Sequence, residues 1–136
     1  GFRARHLLGA ARAVAAGTLD LEAIAAWDDD AARTALRTLP GVGEKVANCV
    51  LLFAYTRWRA FPVDTWIARG LRALYYPGRR VVPLRELQDF AAEYFGPHAG
   101  LAQQYLFHWL RSRGRAPLPV ERSRTARSER APRRRR

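Results

Sequence analysis

The 136-residue sequence holds 24 basic residues, and only one of them, Lys45, is a lysine. It follows the turn Leu39-Pro40-Gly41-Val42-Gly43 and falls in the first turn of a helix opened by Glu44. A cation there opposes the helix dipole by about 0.3–1 kcal/mol. A lysine so placed, in a chain that otherwise uses arginine, has the makings of an amine nucleophile. Helical spacing puts Lys45, Cys49 and Leu52 on one stripe. It leaves Val46, Ala47, Val50, Phe53 and Ala54 as the face expected to be buried. The plainer reading is a surface lysine, and spacing alone favours it.

The turn itself is the second feature. Gly41 and Gly43 admit backbone angles that other residues resist and allow a ligand to come close. The helix that follows aims its free N–H groups forward, an arrangement suited to phosphate. With apolar residues at fixed offsets on both sides, Gly41, Val42 and Gly43 read as a contact to a nucleic-acid backbone. An ordinary helical corner is the alternative. Further on, Phe61-Pro62-Val63 is extended, because a residue before proline avoids the α region. Asp64 then caps the next helix. In the last helix Leu101, Ala102, Tyr105, Leu106, Trp109 and Leu110 form an expected apolar face. Gln103 and Phe107 lie four residues apart on the other side and are therefore neighbours. Packing against a nearby loop is the plain explanation for that phenylalanine.

These groups need short helices to hold them. The pattern predicts helices over 2–16, 20–27, 28–39, 44–55, 64–75, 83–95 and 99–112, with breaks at Gly17, Pro40-Gly41, Pro77-Gly78 and Gly96-Pro97. Strand signals are nearly absent, so the class is all-α, a single multi-helix domain over 1–112. Hydrophobic residues make up 49% of the sequence, enough for a core. Formal charge is +12, but residues 1–110 hold 13 basic and 10 acidic residues, whereas 111–136 hold 11 arginines and two glutamates. Residues 113–136 are therefore expected to be a disordered Arg-rich tail with salt-sensitive affinity for phosphate. One cysteine excludes a disulfide framework and a four-cysteine iron–sulfur cluster. His6, His98 and His108 lack metal-ligand spacing, and no apolar run is long enough for a membrane span. The Ala/Arg bias suggests a bacterial, cytoplasmic protein.

Leu39-Pro-Gly-Val-Gly-Glu-Lys45-Val-Ala-Asn-Cys49, followed by Phe61-Pro-Val-Asp64, resembles the helix-hairpin-helix base-excision DNA glycosylases. Gly1-Phe2-Arg3-Ala4-Arg5 and Gly96-Pro97-His98-Ala99-Gly100-Leu101-Ala102-Gln103 resemble the 8-oxoguanine DNA glycosylase/lyase branch. The resemblance covers about residues 1–111 and implies that the chain begins at a mid-protein helix. Lys45 then matches the lysine that attacks the sugar C1′, expels the base and permits β-elimination. Asp64 matches the aspartate that stabilises the developing positive charge. Gln103 matches the reader of the base edge, Phe107 the ring stacked on the base, and Cys49 the cover of its opposite face. Such a set is what a flipped base requires.

DNA contacts are expected from Gly41, Val42 and Gly43, from Trp66, which stands where many relatives carry a histidine, and from Arg69. Arg57 and Arg59 read equally as phosphate contacts or solvated surface. The resemblance implies double-stranded DNA with a damaged base as partner, a monomer, no membrane, no cofactor and no iron–sulfur cluster. Backbone carbonyls of Leu39 and Val42 are the expected seat of a structural monovalent cation. Two alternatives stay open at this point: an alkylated-purine glycosylase, and a non-enzymatic or inactive helix-hairpin-helix fragment.

Overall fold

The computed structural model describes residue 1 and residues 3–114. The described residues form seven helices: α1 (Ala4–Ala15), α2 (Leu21–Ala26), α3 (Asp29–Leu36), α4 (Glu44–Phe53), α5 (Thr65–Tyr75), α6 (Leu84–Phe95) and α7 (Ala99–Ser112). A single 3₁₀ turn over Gly96–His98 joins the last two. All-α class and element order agree with the sequence reading; α7 has the expected bounds, and the other six helices are one to four residues shorter than expected. Position 2 of the expected first helix and residues 115–136 of the expected tail lie outside the described residues.

Aspartates start three of the helices. Asp20 accepts the Glu22 and Ala23 N–H groups at 2.9 and 3.0 Å, and Asp28 accepts those of Asp30 and Ala31 at 2.9 and 2.8 Å. Asp64 accepts the Ile67 N–H at 2.8 Å. Each cap satisfies amide donors that the helix cannot, a contribution of about 0.5–2 kcal/mol.

Two apolar clusters build the interior. The first gathers Leu19, Ile24, Ala32, Leu36, Ala47, Leu51, Leu52 and Ala60 around α2, α3 and α4. The second gathers Ile67, Leu71, Leu87, Ala91, Ala99 and Leu110 from α5, α6 and α7, with Phe61 and Val63. The extended segment 60–63 runs between them, Ala60 in one cluster and Phe61 and Val63 in the other. On the outer side of the second cluster Tyr75, Phe90, Tyr94 and Phe95 pack edge and face, with centroids 4.8–6.4 Å apart.

Glycines set the closest approaches. The Gly100 N–H donates to the Trp58 carbonyl at 2.6 Å. A Cβ on Gly100 would lie 2.7 Å from the Ala60 carbonyl oxygen and 3.0 Å from that of Trp58, with Leu52 against it too. Only glycine lets the start of α7 seat against α4 and its following loop. Gly70 of α5 receives the Leu110 side chain of α7 in the same manner.

The structure rotates two helix faces relative to the sequence reading. On α4 the buried residues are Ala47, Asn48, Leu51 and Leu52, while Val46 and Phe53 are 39% and 62% exposed. On α7 they are Ala99, Gly100, Gln103 and Leu110, while Leu101 and Tyr105 are 43% and 73% exposed. Hydrophobicity had favoured the larger apolar side chains for the core. The tight seam at Gly100 instead turns α7 so that a glutamine faces inward. Helix α1 buries no residue and exposes Leu7 and Leu8. It rests on the hairpin through Gly9 against Pro40 and His6 against Gly41.

Candidate active site on the hairpin helix

The hairpin is a β-turn followed at once by a helix. The Val42 N–H donates to the Leu39 carbonyl at 3.1 Å, and Gly41 sits at φ 80°. With Pro40 at the second position this is type II geometry, which needs a left-handed residue at the third. Gly43 differs from expectation: its φ of −97° and ψ of −175° are open to any residue. It forms the N-cap of α4 without a capping side chain, so the first amides of α4 receive no side-chain cap from it.

Ion pairs and a buried amide hold α4 at its angle to α3. Glu44 pairs with Arg37 at 3.2 Å and Arg33 at 3.4 Å. Asn48, only 4% exposed, donates to the Glu44 carbonyl at 2.9 Å and accepts from Arg33 Nε at 3.2 Å. Lys45 follows Glu44, so these contacts anchor the backbone beside it. A cleft of about 760 Å³ opens on this flank, lined by Arg33, Arg37, Glu44, Asn48, Arg85 and Asp89. Of the site residues expected from the sequence only Arg59 lines it, and its charges are largely matched among themselves.

Lys45 lies on the other flank, exposed. Cys49, one turn on, is half-buried, and Phe53, one turn further, is exposed. Lys45, Cys49 and Phe53 thus make a solvent-facing stripe at i, i+4 and i+8. Phe53 is the member that the sequence reading assigned to the core. Its four-residue spacing from Cys49 was the available signal, masked by its hydrophobicity.

The remaining groups come from segment 61–64, α5 and α7. Gln103 donates from Nε2 to the Pro62 carbonyl at 3.1 Å, and its Oε1 accepts from Gln104. It is 4% exposed. The amide is therefore tied to the residues just before Asp64 rather than lying on an open polar face. Asp64 uses Oδ1 as the cap of α5, and its second oxygen is available for a different partner. Phe107, half-buried, follows Gln103 by one turn. Trp66, in the first turn of α5, shares with Phe107 the guanidinium of Arg111, centred 5.5 Å from the indole and 5.8 Å from the phenyl ring. The structure thus joins Gln103, Asp64, Trp66 and Phe107 around the α5–α7 contact. Lys45 and Cys49 belong to α4, which Leu52 seats against Gly100 of α7.

Arg57 departs from the expected phosphate role. It pairs with Asp29 at 2.7 Å and donates to the Ile24 and Ala25 carbonyls at 2.8 and 3.2 Å, its side chain 14% exposed. It is an internal clasp between α2, α3 and the loop after α4. Arg59 remains exposed, and Arg69 is half-buried in α5.

A turn-and-helix hairpin carrying an exposed lysine, its helix packed on α3 and seated against α7, which in turn packs on the Asp64-capped α5, defines a helix-hairpin-helix protein. No protein-family model matches the chain. It is 39% identical over 114 residues to the probable N-glycosylase/DNA lyase of Methanothermobacter thermautotrophicus, covering 84% of this chain and 36% of that protein. It is 35% identical over 117 residues to the N-glycosylase/DNA lyase OGG1 of Arabidopsis thaliana, covering 79% of this chain and 32% of that one. The Clostridium acetobutylicum 8-oxoguanine glycosylase/lyase, solved with double-stranded DNA containing cytosine opposite 8-oxoguanine, superposes with a TM-score of 0.77. That match is at 39% identity over 82% of this chain and 38% of that chain. The chain belongs to the helix-hairpin-helix DNA glycosylases, in their 8-oxoguanine glycosylase/lyase branch. It spans about a third of the length of the curated relatives it matches.

Proposed function

We propose that the chain carries the catalytic segment of a base-excision DNA glycosylase with abasic-site lyase activity, acting on a flipped oxidised purine in duplex DNA. The observation that carries this reading is the exposed Lys45 at the start of the hairpin helix, on a fold whose relatives are named N-glycosylase/DNA lyases. The Lys45 amine attacks C1′, the glycosidic bond breaks, and the base leaves with the bonding electrons. The free oxygen of Asp64 faces the positive charge that develops on the sugar. Loss of the ring oxygen from C1′ leaves an imine to Lys45. Removal of a C2′ proton then breaks the C3′–O bond and releases the phosphate.

Cys49 and Phe107 are assigned to the two faces of the base and Gln103 to its edge. Phe53 extends the wall on the Lys45 side. Gly41, Val42, Gly43, Trp66 and Arg69 are assigned to the DNA backbone. The Leu39 carbonyl accepts one N–H and keeps a lone pair, so together with the Val42 carbonyl it suits a monovalent cation.

An abasic-site duplex tests the lysine without requiring base recognition. Incubation with borohydride should reduce the imine and leave a covalent protein–DNA adduct. Lys45→Gln should abolish it, and trapping that persists in this variant would remove Lys45 from the role.

A further inference from the structure

Several arginines of the described residues pair with carboxylates, whereas two near the end of α7 lie over aromatic rings, Arg113 at 4.9 Å from the Trp109 centroid and Arg111 over two rings at once. Arg33, Arg37, Arg57, Arg79 and Arg85 each face a carboxylate, at distances up to 3.9 Å. Arg111 does not: among the described residues no carboxylate pairs with it. Its partners are two aromatic rings, Trp66 at 5.5 Å and Phe107 at 5.8 Å from ring centroid to Cζ.

That difference has a chemical meaning. A carboxylate partner occupies the N–H edge of a guanidinium, whereas a ring occupies its face. Arg111 is exposed, and among the described residues no acceptor is hydrogen-bonded to its guanidinium, so its N–H donors are open to solvent. A planar fork of this kind suits bidentate contact with phosphate oxygens. The two rings also limit the rotamers of the side chain, which lowers the entropy lost when the edge engages a ligand.

Its place on α7 adds direction. Gln103, Phe107 and Arg111 follow one another at four-residue steps, so they lie along one stripe. Along it the residues pass from buried to half-buried to exposed. The stripe therefore runs from the amide tied to Pro62, past the ring, to a cation in solvent. Trp66 brings the first turn of α5, and so Asp64, to the same end.

We propose that Arg111 is a further phosphate contact of this site, gripping the DNA backbone next to the extruded nucleotide while Trp66 and Phe107 flank its guanidinium. This rests on the glycosylase reading for the location of the nucleotide. Only the contact with a DNA phosphate is new. Arg111 also lies in the last turn of its helix, where a cation interacts well with the dipole. That role alone affects stability and leaves DNA binding untouched.

The test is equilibrium binding of the 136-residue chain to a duplex with a tetrahydrofuran abasic-site analogue, by fluorescence anisotropy over a range of salt. Each phosphate contact on duplex DNA contributes about 0.9 to the slope of log affinity against log salt. Arg111→Gln and Arg111→Met should each lower the steepness by roughly that amount, with affinity at low salt reduced about three- to tenfold. Arg111→Lys should keep the slope, because the charge remains, and lose part of the affinity with the planar fork. Arg85→Gln, which removes an arginine already facing Asp89, should change neither. Circular dichroism identifies any variant that fails to fold, and the slope is read on those that do.

An unchanged slope in a folded Arg111→Gln or Arg111→Met chain overturns the proposal, as does failure of the parent chain to bind the duplex. Borohydride trapping with an unchanged slope overturns the Arg111 contact alone. A lowered slope without trapping retains the contact and rejects the lyase reading.

Discussion

The side-chain amide of Gln103 donates to the main-chain carbonyl of Pro62 across 3.1 Å, within the protein interior. This bond spans 41 residues of sequence and ties α7 to the extended segment that ends at Asp64. A residue assigned to the base edge thereby also holds the segment that leads to Asp64, the carboxylate proposed for catalysis.

That dual position makes Gln103→Ala informative. The Pro62 carbonyl would lose its donor in a buried place, a loss of about 1–3 kcal/mol in stability. The abasic-site cleavage rate should fall by roughly tenfold as Asp64 loses its support. An abasic substrate has no base to read, so this loss reports positioning. If the variant cleaves abasic DNA normally and loses only base release, Gln103 acts on the base alone. Urea unfolding and the two cleavage assays separate these outcomes.

Gly100→Ala should be among the most damaging small substitutions in the chain. The added methyl would meet main-chain oxygens of Ala60 at 2.7 Å and Trp58 at 3.0 Å, neither at the end of a flexible side chain. We expect a loss of roughly 1–3 kcal/mol, read as a lower urea midpoint. Because the strain falls where α7 meets α4, lyase activity at a temperature where the variant is folded should fall as well.

Arg57→Ala should weaken the fold and leave the salt dependence of DNA binding as it was. Its guanidinium pairs with Asp29 at 2.7 Å and satisfies two carbonyls, with little of the side chain in solvent. Removing it strands those acceptors, an effect of roughly 2–4 kcal/mol. A salt slope that drops in this variant would mean that Arg57 reaches DNA after all.

Alkaline pH should expose the aromatic cluster. Burial, and then the neighbouring Tyr94, raise the Tyr75 phenol above its ordinary value of 10.0. The folded state therefore holds that proton more tightly than the unfolded chain. Its contribution is complete below about pH 10 and is lost as pH rises through the raised folded value. In Tyr75→Phe the fall in urea midpoint above about pH 10 should be shallower than in the parent.

Much of the local architecture was legible in the order of residues. Asp64 announces a helix start because a short acceptor before an apolar run readily satisfies the first amides, and the structure adds the same capping role for Asp20 and Asp28. Leu39-Pro40-Gly41-Val42 announces its turn because a type II geometry needs a left-handed residue after the one following Leu39, and glycine supplies it. The exposed position of Lys45 was legible for a similar reason, since it followed from where the turn ended.

Which face of a helix meets its neighbours was not legible in the same way. Periodicity put Phe53 and Tyr105 inside and left Gln103 on a polar face, since hydrophobicity ranks side chains without knowing what lies opposite. The fold decided otherwise at Gly100, where main-chain oxygens of Trp58 and Ala60 leave room for no side chain and so set the rotation of α7. From that rotation follow the buried Gln103 bound to Pro62 and the exposed Arg111 over Trp66 and Phe107; Arg57 is turned inward separately, by Asp29 and the carbonyls of α2. The sequence by itself determined the helices, the turn and the lone lysine, because those depend on neighbours along the chain. Only the tertiary structure decided which polar groups are paired and which face outward, because those pairings join residues tens of positions apart.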